Sequence, residues 1–398
     1  MKLLRLLYLL LCFVLLTGCL NPLNPTTTCT QAPISEPSDS TEATNPPNDP
    51  AITVPVFDPL LIVETMSTEE KVGQLFLACC PDANAINDLQ TYHLGGYILF
   101  DRDFNNETPD SMTQKIQSYQ AASALPLLIA VDEEGGTVNR VSNHSAFRSS
   151  RFQSPRKLYA SGGMELVLNT EKEKALLLSS LGINVNMAPV CDLSTNPSAF
   201  MYDRSLGVDP QTTGAFATRT SAIMAQHGVG SVLKHFPGYG NNSDTHTGIA
   251  VDSRTLTELE SADLIPFSIA IENGCGAILV SHTIINCLDT EHPATLSPAV
   301  HQYMREKMGF SGVIITDELS MGAIAKKYSI GEAAVLAVLA GNDLLCTTYY
   351  STQYNAVLEA VKSQRIPEST LDDAVCRILQ WKFSLGLLET NTTAIKNS

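Results

Sequence analysis

Two short segments of the chain concentrate ionisable residues of the types that catalyse reactions. The first reads KHFPGYG at residues 234–240 and continues as SDTH at residues 243–246. The second reads IITDELSM at residues 314–321. Each starts from an apolar run typical of a β-strand and ends in ionisable residues. Together they provide an acid, a base, a nucleophile and ligands for sugar hydroxyls, which are the groups that cleavage of an acetal requires.

Eight short apolar runs recur along the chain, and segments with helical spacing separate most of them. The runs are residues 75–79, 96–100, 126–131, 183–190, 230–236, 277–280, 313–316 and 343–346. Continuous apolar strands that alternate with helices indicate a parallel sheet buried on both faces. Eight such units predict an α/β fold of the (β/α)8 TIM-barrel type, with a doubly wound open sheet as the alternative.

Helices are predicted where apolar residues recur with a period of three to four. The clearest examples are residues 170–181, 216–227, 266–273 and 332–340. A last helix is predicted over residues 369–385, with Ser369 as its N-cap. Its buried face should consist of Leu371, Val375, Ile378 and Leu379.

Six of the predicted strands end in ionisable residues or are directly followed by them, at residues 101–103, 132–134, 191–192, 234–235, 281–282 and 317–318. In a barrel all these strand ends meet at one face, where active sites lie. One aspartate after a strand is usually a turn or cap residue, but six similar strand ends favour a site. We assign Asp192 to the turn explanation, as a residue that structures the loop at residues 194–197.

The 398 residues are 44% hydrophobic and carry a net charge of −16. This length is ample for a large core, and the acidic balance argues against nucleic acid as a partner. None of the ten cysteines has a CxxC or Cys/His spacing that indicates a metal site. We expect the cysteines of the folded part to be mostly buried free thiols, although one disulfide pair remains open.

The N-terminus has the features of a bacterial lipoprotein signal peptide at residues 1–19. Lys2 and Arg5 precede an apolar run at residues 6–16 that is too short to span a membrane, and LTGC then resembles a lipobox ending at Cys19. An ordinary signal peptide or an uncleaved anchor is the alternative. A lipidated Cys19 would tether the protein, extracytoplasmically, to the cell membrane or to the outer membrane of a diderm, at about 0.8 kcal/mol per buried methylene.

Residues 20–56 are rich in Pro, Thr, Ser and Asn, which predicts a flexible linker. Residues 57–392 are then expected to form one folded domain. Within it five motifs follow one another: VDEEGG at 131–136, NMAPV at 186–190, DRSLG at 203–207, KHFPG at 234–238 with DTH at 244–246, and TDELSM at 316–321.

In the order and spacing of these motifs the chain resembles glycoside hydrolase family 3, and within it the β-N-acetylglucosaminidases. The resemblance implies a retaining β-N-acetylglucosaminidase with this barrel as its catalytic domain. The substrates would be peptidoglycan fragments or chito-oligosaccharides that end in β-linked GlcNAc. Neither a metal nor an organic cofactor is implied, and we expect a monomer.

The resemblance also implies roles for individual residues. Asp317 would be the nucleophile of a double displacement. The pair Asp244 and His246 would transfer the proton, since an imidazole titrates near neutrality and an aspartate can orient it. Glu318 should point away from Asp317 in an extended segment and support it from behind. Residues predicted to hold the sugar are Asp132, Arg140, Arg204, Lys234, His235 and His282, the last with a hydrogen-bonded structural histidine as the alternative.

Three positions depart from residues that are frequent in the family: Glu133 replaces a glutamine, Thr137 a basic residue and Tyr239 a histidine. They leave the details of N-acetyl recognition open. A β-glucosidase or β-xylosidase of the same family remains an alternative, although those relatives take their acid from a separate domain. Phosphorolysis is another, because a histidine acid lacks the charge that repels phosphate, and a non-catalytic sugar-binding lipoprotein is the third.

Overall fold

The computed structural model describes residues 57–240 and 248–390. Within these ranges ten strands occur, and eight of them belong to one parallel sheet. The strands are β1 (Phe76–Cys79), β2 (Gly96–Leu99), β3 (Leu128–Val131), β4 (Val185–Asn186), β5 (Gly230–Phe236), β6 (Val251–Asp252), β7 (Ala277–Val280), β8 (Ile284–Ile285), β9 (Val313–Thr316) and β10 (Leu345–Thr347).

The large sheet closes into a barrel. Its order is β10-β1-β2-β3-β4-β5-β7-β9, and a parallel bridge between Ile315 and Leu344 joins the two outer strands. The short strands β6 and β8 pair with each other outside the barrel. The predicted (β/α)8 barrel is therefore confirmed, and the doubly wound open sheet was the wrong alternative.

Thirteen α-helices among the described residues surround or flank the barrel. They are α1 (Leu60–Val63), α2 (Thr68–Gln74), α3 (Ala85–Tyr92), α4 (Pro109–Ala122), α5 (Pro155–Ser180), α6 (Pro210–Gln226), α7 (Leu256–Glu260), α8 (Leu264–Glu272), α9 (Pro298–Gln302), α10 (Gly322–Ala325), α11 (Ile330–Ala340), α12 (Tyr350–Lys362) and α13 (Glu368–Ser384).

All eight predicted strands are present, and β5, β7 and β9 have the predicted bounds. β4 is much shorter than predicted, and Pro189, which has no N–H for a regular ladder, lies in the part of the predicted run that is not a strand. The structure also corrects the start of the last helix. Ser369 lies inside α13, while Pro367 is the N-cap and its carbonyl accepts the N–H of Thr370 at 3.0 Å.

The core lies between the strands and the helices around them. Every residue of the barrel strands β1 to β5, β7, β9 and β10 is buried. The predicted inner face of α13 is fully buried too, at Leu371, Val375, Ile378 and Leu379. Each such side chain contributes about 1.5–3 kcal/mol to folding. The strand ends are thereby held by a rigid scaffold.

The predictions about the N-terminus concern residues that lie outside the described ranges: the signal peptide, Cys19 and the linker. Among the described helices none combines the length and apolar character that a membrane span requires. The seven cysteines of the described part are free, and Cys79, Cys80, Cys191 and Cys346 are buried.

A buried lysine links the last helix to the start of the domain. Lys382 in α13 is fully buried, and its Nζ donates to Oε1 of Gln74 in α2 at 2.8 Å. Gln74 in turn donates through Nε2 to the carbonyl of His93 at 2.9 Å. Burial lowers the pKa of Lys382 to about 7. As the pH rises, the folded protein therefore loses the proton of Lys382 at a lower pH than the unfolded chain does.

Replacement of Lys382 by methionine should change how stability depends on pH. Between about pH 7 and 8.5 the unfolded chain binds a proton that folded wild type has lost, so wild type should gain stability relative to Lys382→Met as the pH rises, by up to about 1.4 kcal/mol per pH unit. Urea unfolding at several pH values measures this difference. The exposed Lys157 supplies the control, since Lys157→Met should follow wild type. Parallel curves for wild type and Lys382→Met would contradict the prediction.

Candidate active site

A cavity of about 480 Å³ opens at the carboxyl ends of the barrel strands. This is the size of a site for one small ligand. Its walls include six of the predicted site residues, namely Asp132, Arg140, Arg204, Lys234, His235 and Asp317. His282 does not line it. Asp244 and His246 lie outside the described residues.

Lys234 at the end of β5 reaches two carboxylates that follow β3. Its Nζ lies 2.6 Å from Oδ1 of Asp132 and 2.7 Å from Oε1 of Glu134, and the side chain is only 3% exposed. Burial lowers the pKa of Lys234, but the charges of the two carboxylates outweigh burial and raise it overall. The register of β5 with β7 shifts between Leu233 and Phe236, and consecutive Lys234 and His235 both reach the cavity.

Glu134 is a site residue that the sequence analysis missed. Arg204 donates to it twice, through Nε at 2.9 Å and Nη2 at 2.7 Å. Burial raises the pKa of Glu134, yet Arg204 and Lys234 more than offset burial and hold the pKa below its usual range. Alternation in an extended segment puts residues two apart on one face, and this signal could have paired Glu134 with Asp132.

Asp192 requires a correction, because it does more than structure the loop at residues 194–197. Its Oδ2 lies 2.7 Å from Nδ1 of His235 and accepts the backbone N–H of His235 at 3.1 Å. Its Oδ1 accepts the backbone N–H of Tyr239 at 2.7 Å. Asp192 thus binds both His235, which lies in the cavity wall, and Tyr239, which lies in the chain that follows β5.

Glu133 points away from the cavity and supports Arg140 from behind. Its carboxylate accepts the backbone N–H groups of Arg140 and Val141 at 2.8 Å and of Ser142 at 3.2 Å. The Arg140 guanidinium then lies over the ring of Phe100, 5.8 Å from its centroid, with Nη2 3.9 Å from Oδ2 of Asp132. The departure at Glu133 therefore concerns the loop that carries Arg140 and not a direct ligand.

Asp317 lies on the cavity wall directly after β9, and its Oδ1 accepts the backbone N–H of Glu318 at 2.8 Å. Glu318 differs from expectation, since it also lines the cavity, with Oε1 accepting the N–H of Thr348 at 2.9 Å. His282 is fully buried behind this segment and donates through Nε2 to the carbonyl of Glu318 at 2.9 Å, with Nδ1 2.7 Å from Oγ1 of Thr295. These contacts are those of a structural histidine.

Tyr239 and Thr137, two departures from the family pattern, both border the cavity. Tyr239 is buried, and its ring meets His235 edge-on at 5.4 Å between centroids and Phe200 at 5.8 Å. Thr137 is exposed at the rim. Tyr239 thus forms part of an apolar wall beside the charged groups.

The chain enters residues 241–247 from two glycines with positive φ, Gly238 (121°) and Gly240 (55°). A Cβ on Gly240 would approach Nη2 of Arg254 to 2.6 Å, and one on Gly238 would come equally close to Asp263. Arg254 donates to two carboxylates, through Nη1 to Asp263 at 2.5 Å and through Nη2 to Asp252 at 2.7 Å. This ion-pair cluster is packed tightly against Gly238 and Gly240, the described glycines that precede residues 241–247 in the chain.

Carboxylates and cations therefore alternate around the cavity. One continuous chain of ion pairs runs through Asp132, Lys234, Glu134 and Arg204. Asp317 lines the same cavity. Such groups bind the vicinal hydroxyls of a sugar well, since each offers a fixed donor or acceptor. A carboxylate beside a bound sugar is also placed to attack its anomeric carbon.

Comparisons with known proteins agree with this geometry. The family model described as the glycosyl hydrolase family 3 N terminal domain matches residues 67–381. The chain is 30% identical over 359 residues to beta-hexosaminidase LpqI of Mycobacterium tuberculosis, covering 87% of this chain and 91% of that protein. It is 32% identical over 302 residues to a beta-hexosaminidase of Nitrosomonas eutropha, covering 73% of this chain and 79% of that protein.

Solved structures give the same result. A glycoside hydrolase family 3 beta-N-acetylglucosaminidase from Paenibacillus sp. str. FPU-7 superposes with a TM-score of 0.76 at 31% identity, covering 84% of this chain and 66% of that one. M. tuberculosis LpqI superposes with a TM-score of 0.75 at 28% identity, covering 82% and 97%. By sequence and by fold, this chain belongs to glycosyl hydrolase family 3.

Proposed function

We propose that the protein is a retaining β-N-acetylhexosaminidase that releases terminal β-linked GlcNAc. The observation that carries the proposal is the position of Asp317, which shares one sugar-sized cavity with the ion pairs around Lys234. The names of the relatives support the same activity, since those proteins are called beta-hexosaminidases and a beta-N-acetylglucosaminidase.

In the proposed reaction Asp317 attacks the anomeric carbon and forms a covalent glycosyl-enzyme, which water then cleaves. Asp132, Lys234, Arg204 and His235 hold the sugar hydroxyls, and Arg140 borders the same space. Rigid attachment of these groups to strand ends keeps the sugar aligned with Asp317. His282 has a supporting role, through the carbonyl of Glu318.

Asp244 and His246 are proposed to transfer the proton, His246 as the group that protonates the leaving oxygen and Asp244 as its orienting partner. A histidine is suited to donate a proton in the first step and to accept one from water in the second. We also propose that Cys19 is lipidated, and that the monomeric enzyme acts outside the cytoplasm on GlcNAc-containing fragments of peptidoglycan or chitin.

A panel of p-nitrophenyl glycosides tests the function. The β-GlcNAc substrate should be cleaved in preference to β-glucoside and β-xyloside, and added phosphate should yield no sugar phosphate. Asp317→Asn should abolish turnover and prevent a fluorosugar from forming a covalent adduct that mass spectrometry detects, because the attacking carboxylate is gone. The exposed Asp110 gives the control, since Asp110→Asn should retain activity. Full activity of Asp317→Asn would refute the assignment.

The acid role of His246 predicts a dependence on the leaving group. His246→Ala should slow hydrolysis of an unactivated chito-oligosaccharide by about 10²–10⁴-fold and that of a p-nitrophenyl substrate much less, because p-nitrophenolate departs without a proton. Rates for a series of aryl leaving groups of increasing pKa measure this difference. Equal slowing across the series would rule out an acid role.

The contact between Gly240 and Arg254 predicts that a single methyl group perturbs the reaction. Gly240→Ala should lower kcat by about tenfold or more, since the new Cβ would meet Nη2 of Arg254 at 2.6 Å and push this guanidinium out of its ion pairs with Asp252 and Asp263, next to the segment with Asp244 and His246. Gly274 has a similar positive φ of 78°, but a Cβ there would have no atom within 4 Å, so Gly274→Ala controls for backbone strain alone. Steady-state kinetics of the two variants should differ, and equal kcat values would contradict the prediction.

A further inference from the structure

Asp192 is buried behind His235 and does not itself line the cavity. Its carboxylate receives three donors, which are Nδ1–H and the backbone N–H of His235 on Oδ2 and the backbone N–H of Tyr239 on Oδ1. An ionised carboxylate has only acceptor sites. The 2.7 Å contact therefore requires the proton of the His235 ring to be on Nδ1.

The other side of the ring meets a group that can only donate. Nη2 of Arg204 lies 3.3 Å from Nε2 of His235, and a guanidinium has no acceptor. Arg204 cannot turn away easily, because its Nε and Nη2 are both bonded to Glu134. Nε2 must then present a lone pair. Asp192 and Arg204 together select one tautomer, with the proton on Nδ1 and the acceptor on Nε2.

We propose that Asp192 is a positioning residue that fixes His235 as a hydrogen-bond acceptor for the bound sugar. This deepens the proposed function and rests on it, because His235 there holds a sugar hydroxyl. The ring borders the cavity with its Nε2 side next to Arg204. Nε2 has one lone pair, which faces Nη2 of Arg204 at 3.3 Å. A sugar hydroxyl takes the place of that contact, donating to Nε2 and accepting from the guanidinium, so that one oxygen satisfies both groups.

An amide in place of this carboxylate has the same shape but the wrong hydrogen-bond pattern. Asparagine has one acceptor oxygen, while three donors converge on Asp192. If its NH2 replaces Oδ2, the backbone N–H of His235 loses its acceptor, Nδ1 must become an acceptor, and the ring proton moves to Nε2, where it opposes Arg204. If its NH2 faces Tyr239 instead, two buried donors meet without an acceptor. Asp192→Asn therefore changes the hydrogen-bond pattern around His235 while it keeps the size and shape of the side chain.

The tautomer is measured directly by ¹⁵N NMR of the histidine rings, with the His235 signals assigned from their loss in His235→Gln. Wild type should show the proton on Nδ1, and Asp192→Asn should show it on Nε2 or on both nitrogens in exchange. A wild-type ring with Nε2–H, or with both nitrogens protonated near neutral pH, would overturn the proposal. The wild-type result decides even if Asp192→Asn does not fold. Since no turnover is needed, failure of the proposed hydrolase activity leaves this result intact.

A double-mutant cycle tests whether Asp192 acts through His235. With p-nitrophenyl β-GlcNAc, Asp192→Asn should lower kcat/KM by about ten- to a hundredfold, the range for a hydrogen bond to a charged group. In the His235→Gln background the same change should cost much less, because only the loss of an acceptor for the backbone N–H groups remains. Asp209 at the N-cap of α6 gives the matched control, because asparagine caps equally well and Asp209→Asn should match wild type. An equal loss in both backgrounds would overturn the proposal.

Discussion

The buried ammonium of Lys234 is the interaction on which the rest of the site depends. Removal of a charge from water costs several kcal/mol, and the cost is recovered only by close partners of opposite charge. Lys234 has two, Asp132 at 2.6 Å and Glu134 at 2.7 Å. Glu134 is buried as well and needs Arg204 in addition. Each charge in the chain of ion pairs is thus placed by the requirement to balance its neighbour, before any substrate is bound.

The barrel satisfies this requirement because its strands bring distant residues to one end. Lys234 and Asp132 are 102 residues apart in the chain, yet Lys234 lies near the end of β5 and Asp132 directly after β3, and only β4 separates these strands. Fully buried strands cannot slide past one another without exposing apolar residues. The ends of neighbouring strands therefore keep fixed positions relative to each other, close enough for their side chains to form hydrogen bonds. Behind them, Glu133 and Asp192 bind backbone N–H groups and so fix the loops that carry Arg140 and Tyr239.

The sequence predicted the barrel and most of the charged residues of the cavity wall, because apolar strands and the ionisable residues at their ends are local patterns. It did not reveal the roles of Glu134 and Asp192, because their partners Arg204 and His235 lie 70 and 43 residues further along the chain, and Asp192 was assigned to a turn instead. Ser369 was misplaced as a cap because the helix already begins after Pro367. The inward position of Glu318 was missed since the chain after β9 is not a regular strand, so alternation no longer applies.

The charge balance of the site has a consequence for the reaction. In formal charges, the three anions Asp132, Glu134 and Asp192 match the three cations Arg140, Arg204 and Lys234, which lie within one connected network. The network therefore adds no net positive charge beside Asp317. A transition state of glycoside cleavage carries positive charge on the sugar ring, and an excess of cations would oppose it. If Asp317 is the nucleophile, as proposed, this balance lets the strong donors hold the hydroxyls without cancelling the negative charge that Asp317 and Glu318 bring to the same wall.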